Sequence, residues 1–179
     1  MRSIYVLGLA TIFAAGFACK KKISASEAVK SDLKNYLMVE MPKHGALLKL
    51  LGSVSDSYSQ ADHEKKGPRE KSDGENEILA DAVAALKKAQ IGTDDLKRVH
   101  AELQQGVEKM QASFVKIAVV EKQSGAASSV AGTFSAIQDI LQAIKLINDW
   151  NEDIESGCRA NGLTAEFSAF QAEYGLKKK

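Results

Sequence analysis

Two prolines, two cysteines, 6% aromatic residues and a formal net charge of only +1 are what this 179-residue chain offers. Each scarcity removes a class of protein. Two cysteines allow at most one bridge, Cys19 to Cys158, and only if Cys19 is left unmodified. Two prolines leave long stretches free to run as helix. Setting aside Arg2, which lies in the leader described below, 23 Lys and Arg face 23 Asp and Glu. Such a balance leaves no basic surplus for phosphate neutralisation, so nucleic acid is not an expected partner. No apolar run reaches the roughly 20 residues that a membrane-crossing helix needs.

Motifs of reaction chemistry are equally sparse. There is no Gly-x-Ser-x-Gly elbow and no Gly-rich phosphate loop, and the serines fall at expected caps and turns. His44, His63 and His100 lie far apart in sequence and outside any metal- or haem-attachment spacing, so each reads as a surface or boundary residue. Glu40 and His44 are one helical turn apart, but Met41-Pro42 lies between them and they read as a surface pair. Asp94-Asp95 and Glu152-Asp153 fit helix ends and exposed faces. The expectation is a non-enzyme with no catalytic residue, no cofactor and no metal.

What the chain does have is Ala, Leu, Lys, Glu and Gln in helical spacing. Ser24-Ala25-Ser26-Glu27 forms a capping box that predicts a helix start. Val29, Leu33, Tyr36, Leu37 and Glu40 follow at helical intervals, a break is expected at Met41-Pro42, and Leu47, Leu48, Leu51, Val54 and Tyr58 resume the stripe. Residues 65–74 lack any apolar side chain and read as the clearest loop. Ile78, Leu79, Ala82, Val83 and Leu86 predict a helix stopping near Ile91-Gly92, with Thr93 as the next N-cap. Leu96, Val99, Leu103, Val107, Met110, Phe114 and Ile117 predict a bundle helix approaching about 30 residues. After an expected turn at 124–129, the series from Val130 and Phe134 through Ile137, Ile140, Leu141, Ile144, Ile147 and Trp150 to Ile154 is the broadest apolar face. It predicts the central helix. Asn161-Gly162-Leu163 reads as a Schellman stop, Thr164 as the cap of a last helix carrying Phe167, Phe170 and Tyr174, and Gly175-Leu176 as a second stop. The fold expected is all-α, an antiparallel helical bundle of four to six helices after a cleaved signal peptide.

The amino terminus carries the most specific signal. Arg2 precedes an apolar stretch from Ile4 to Phe13, and Ala14-Ala15-Gly16-Phe17-Ala18 leads with small residues into Cys19. This arrangement resembles a bacterial lipoprotein precursor, whose Cys is acylated and becomes the new first residue. Ala18 and Cys19 match that family's lipobox. Gly16 and Phe17 depart from its branched and small residues, and an ordinary signal peptidase would accept Gly16 and Ala18 and cut the same bond. The resemblance implies residues 1–18 as signal peptide, lipidation (palmitate among the acyl chains) at Cys19, a basic linker over 19–23, the helical domain over 24–176 and a solvated basic tail at 177–179. Lys20, Lys21 and Lys22 would lie against headgroups, each contributing about 1 kcal/mol of attraction to anionic lipid. In the enterobacterial version an Asp after the Cys retains the protein at the inner membrane, so Lys20 favours the outer membrane, on its periplasmic face or at the cell surface.

Three partner expectations follow: the membrane through the lipid anchor, an envelope protein of unknown identity, and a second copy through Cys158, which has no partner in its own chain if Cys19 carries lipid. The plainer reading of Cys158 is a packed, inert thiol. From another class comes a periplasmic small-ligand or haem-binding bundle, drawing on Met38, Met41, Met110 and the histidines.

Overall fold

The computed structural model describes residues 22–57, 68–122 and 126–176. Every described element is helical, and the chain folds as the all-α bundle expected. In order these are α1 (Glu27–Asn35), a π-helical turn (Tyr36–Glu40), a 3-10 turn (Met41–His44), α2 (Gly45–Ser57), α3 (Pro68–Leu86), α4 (Asp94–Lys122), α5 (Ala126–Ala160) and α6 (Thr164–Tyr174).

The frame is the hairpin of α4 and α5, 29 and 35 residues long. Leu96, Val99, Leu103, Val107 and Met110 step by three and four along α4 and are buried, as are Ala136, Ile140, Ala143, Ile147, Trp150, Ile154 and Cys158 along α5. The helices run antiparallel: Arg98 bonds Asp153 at 3.2 Å, Lys109 bonds Gln142 at 3.3 Å and Lys116 bonds Asp139 at 2.6 Å, so position rises in one helix as it falls in the other. Gly106 lets them approach closely. A Cβ there would lie 2.8 Å from Ile147 Cγ1 and 3.1 Å from the Ala143 carbonyl oxygen. The broad apolar face expected of α5 therefore splits: Ile140 and Ile147 enter the seam, whereas Ile137 and Leu141, beside it, remain 43% and 56% exposed. The side chains of Val130 and Phe134 lie outside the described residues.

The break expected at Pro42 is a change of helical gauge instead. Pro42 cannot donate to the carbonyl four residues back, and its ring crowds that carbonyl. The chain widens into the π turn, where Met41 N donates to Tyr36 O, then tightens into the 3-10 turn. Tyr36, Leu37, Glu40 and Met41 face inward and Met38 and Val39 are turned out to solvent.

Several ends differ from expectation. The N-cap of α1 is Ser26, whose Oγ accepts from Val29 N at 3.2 Å, because Ser24 is engaged elsewhere. Thr93 stands at the N-cap position of α4, its carbonyl accepting from Lys97 N at 2.9 Å, and its hydroxyl donates to Asp32 Oδ2 at 2.7 Å. Asp32 also accepts from the amides of Gly92 and Thr93, so α1 holds the approach to α4. α3 takes in Pro68 to Gly74, most of the expected loop, since Pro is free to occupy a first helical turn and Arg69, Glu70 and Lys71 are good helix formers. α5 takes in Ala126 to Ser129, placed in a turn by their small side chains. Thr164 is the first residue of α6, and Leu163 precedes it with no side-chain cap. Both Gly stops hold: Gly162 and Gly175 have φ of 71° and 70°, and Leu163 N and Leu176 N reach back to Cys158 O and Gln171 O.

Gly52 on α2 faces the Tyr174 and Gly175 carbonyls where α6 ends, and any Cβ there would overlap the Tyr174 oxygen. Backbone cannot rotate away as a side chain can. Gly52→Ala should therefore cost about 1–3 kcal/mol, outweighing the ~1 kcal/mol of helix propensity it gains, and should lower the urea midpoint. An unchanged midpoint would mean that α6 does not dock there.

Candidate functional site

Cys19 lies outside the described residues, as do Lys20, Lys21, His63 and the basic tail. What is described is how the chain just after it joins the bundle. Ile23, placed in the linker by the sequence, is 4% exposed and lies over Gly157, whose missing side chain gives it room: a Cβ there would come 2.7 Å from Ile23 Cδ1. Ser24 donates from both N and Oγ to Asp95 Oδ2, at 2.9 and 2.6 Å. Asn161 accepts from Ser26 N at 3.2 Å and donates to the carbonyls of Ser24 and Gly157 at 3.1 and 2.8 Å. Residues 23–26 thus form a strap across the N-terminal end of α4 and the C-terminal end of α5. Composition placed no polar clamp here, because its partners lie more than seventy positions away in sequence.

A second polar cluster lies in the core beneath the π turn. Trp150 Nε1 donates to Tyr36 Oη at 3.1 Å, Tyr36 Oη is 3.1 Å from His100 Nδ1, and His100 Nε2 is 3.0 Å from the Leu86 carbonyl oxygen. One proton arrangement satisfies every group: the indole gives to the phenol, the phenol gives to Nδ1, and Nε2–H gives to the carbonyl. It requires a neutral imidazole. Burial pushes the His100 pKa below its ordinary value, against the bond to Leu86 and the charge of Glu40. Burial likewise raises Tyr36, so its hydroxyl stays protonated. The Tyr36 and His100 rings meet edge to face at 5.8 Å.

Glu40 and His44, read as a surface pair, are both buried, because the π turn rotates them inward. Glu40 accepts from Lys43 Nζ at 2.7 Å. His44 has a lowered pKa, first through burial and then through His100 and Lys43, with Glu40 opposing. His100, expected at the boundary, is core. Next to His44 a groove of about 170 Å³ opens between the 3-10 turn and α3, lined by Lys43, Leu47, Ile78 and Asp81.

These contacts bear on chemistry. Both ring nitrogens of His100 are engaged by protein groups, so it has none to offer an iron. Met41 and Met110 are packed in the core, and Met38 points to solvent. Among the described residues no three His, Cys, Asp or Glu side chains cluster closely enough to hold a metal ion, and no helix is long and apolar enough to cross a membrane. Cys158 is a free thiol, fully buried, with its pKa pushed up to about 12 by burial and by Glu166. A disulfide between two folded copies has no exposed sulfur there to use. No protein family, curated protein or solved structure was found to match this chain.

Two measurements follow. Tyr36→Phe leaves the Trp150 indole and His100 Nδ1 without a partner, and should destabilise the domain by about 2–4 kcal/mol in urea unfolding. A loss under about 1 kcal/mol would argue against a satisfied network. Cys158 should resist an aromatic disulfide reagent at pH 8 in buffer and react fully in 6 M guanidinium, roughly as an ordinary thiol does; prompt reaction in buffer would contradict its burial.

Proposed function

We propose that the chain is a bacterial envelope lipoprotein, held to a membrane surface by acyl chains on Cys19 and carrying a non-catalytic helical domain that serves protein–protein interaction or envelope support. The observation that carries this reading is the leader itself: Arg2, the apolar stretch Ile4 to Phe13, and Ala18 directly before Cys19. Two or three acyl chains, each contributing about 0.8 kcal/mol per buried CH₂, would make the attachment effectively permanent. The outer membrane is favoured by Lys20.

The strap supports the reading from the other side of the anchor. Ile23 is already part of the core, so the free tether is only the few residues from Cys19 to Lys22, with a reach of about 13 Å. A domain held that close to a bilayer suits a scaffold. The non-catalytic part rests on the sequence, which carries no Gly-x-Ser-x-Gly elbow and no Gly-rich phosphate loop.

Labelled palmitate supplied to cells expressing wild type or Cys19→Ser tests the proposal. Wild type should take up label and sediment with membranes, and Cys19→Ser should do neither. Unlabelled wild-type protein in the soluble fraction, with an ordinary thiol at its first residue, would overturn it.

A further inference from the structure

His100 is the contact at which three helices agree. It stands on α4, accepts a hydrogen bond from the hydroxyl of the π turn, and donates one to the last carbonyl of α3; the same hydroxyl is fixed by the indole of α5. A second proton on the imidazole makes Nδ1 a donor. Tyr36 Oη would then face two N–H groups, from Trp150 and His100, with its own hydrogen left without an acceptor in a site that excludes water. The groups around it cannot take up that mismatch. Glu40 is bound to Lys43, and His44 shares the same interior. Asp81 of α3 lies by His44, while Lys87 and Lys97, which line the groove beside His100, are paired with Glu108 and Asp94. α5 presents Trp150, which does not titrate, and Tyr174 of α6 packs on Gly45 at the far side of the turn. The element that would give way is the π turn followed by the 3-10 turn, where regular helical bonding is already interrupted.

We propose that His100 is an acid-sensitive latch, holding the helical segment 27–57 on the α4–α5 hairpin when neutral and releasing its π turn locally when protonated. The inference concerns the domain alone and holds whether or not Cys19 carries lipid.

The sign is fixed by linkage. The folded imidazole binds its proton less readily than an exposed one, so the opened form gains protons as pH falls below about 6.5, and the latch weakens until the folded group itself titrates. Amide exchange of the purified full chain between pH 7.5 and pH 5, corrected for intrinsic rates, tests this. Buried His44 leaves the same turn and takes up a proton of its own on opening, so the test is made in a His44→Gln background. There, opening at residues 36–44 should rise about tenfold per pH unit below ~6.5, ahead of the α4–α5 seam around Val107 and Ile147. Adding His100→Gln keeps an acceptor for Tyr36 and a donor for Leu86 without a titrating proton, and should abolish the rise. The latch is overturned if the rise persists in the double variant, or if turn and seam open together in His44→Gln. Should His100→Gln fail to fold, the wild-type indole N–H resonance of Trp150 decides: it should move with the His100 ring titration, and an indole that ignores that titration would sink the proposal.

Discussion

The close approach of α4 and α5 is the constraint on which the remaining architecture hangs. It depends on a small residue at Gly106 facing Ala143 and Ile147, since a larger one would push the Ala143 backbone away and open the seam on both sides. With the hairpin set, its flank offers a trough into which the 27–57 segment lays Leu33, Tyr36, Leu37 and Met41, and against which α3 lays Leu79 and Leu86. Dispersion and apolar burial supply most of the stabilisation in such an interior. Ion pairs at the seam's edges, Arg98 with Asp153 and Lys116 with Asp139, are partly solvated; they favour this register over others more than they add strength.

The buried polar groups do a different job. An all-apolar core would tolerate small rotations of α1 against the hairpin, since one methyl contact substitutes for another. The chain from Trp150 through Tyr36 and His100 to Leu86 does not, because every misalignment strands a donor in a low-dielectric site. Asp32 works in the same way at the bundle's end. It satisfies two amides and a hydroxyl at the start of α4, and so ties the order of α4 to the docking of α1.

Helix positions were legible because apolar periodicity is a local property: Leu96 to Met110 names its own buried stripe, and the two Gly stops follow from backbone geometry that few other residues adopt. What was illegible depends on distance. Nothing in Met41-Pro42 says whether a helix breaks or changes gauge, because the outcome depends on how firmly Tyr36 and Met41 are held from the other side. Ser24 carries capping chemistry that the sequence assigns to the first helix, yet it ties the strap to Asp95, and the Asp32 carboxylate reaches Thr93 only through tertiary packing. Ile137 and Leu141 look as buried as Ile140 from spacing alone, yet among the described residues nothing covers them fully and they stand 43% and 56% exposed. The proposed lipidation signal is the reverse case. It would be written in Arg2 to Cys19 for a processing enzyme to read, and so would belong to the sequence and not to the fold.

The strap over residues 23–26 decides how tension on the amino terminus would travel. A pull from that end meets Ile23 over Gly157, Ser24 on Asp95 and Asn161 bridging them before it reaches the first turn of α1. Load therefore passes into the ends of the two longest helices, while the short helix that follows is shielded until the clamp shears.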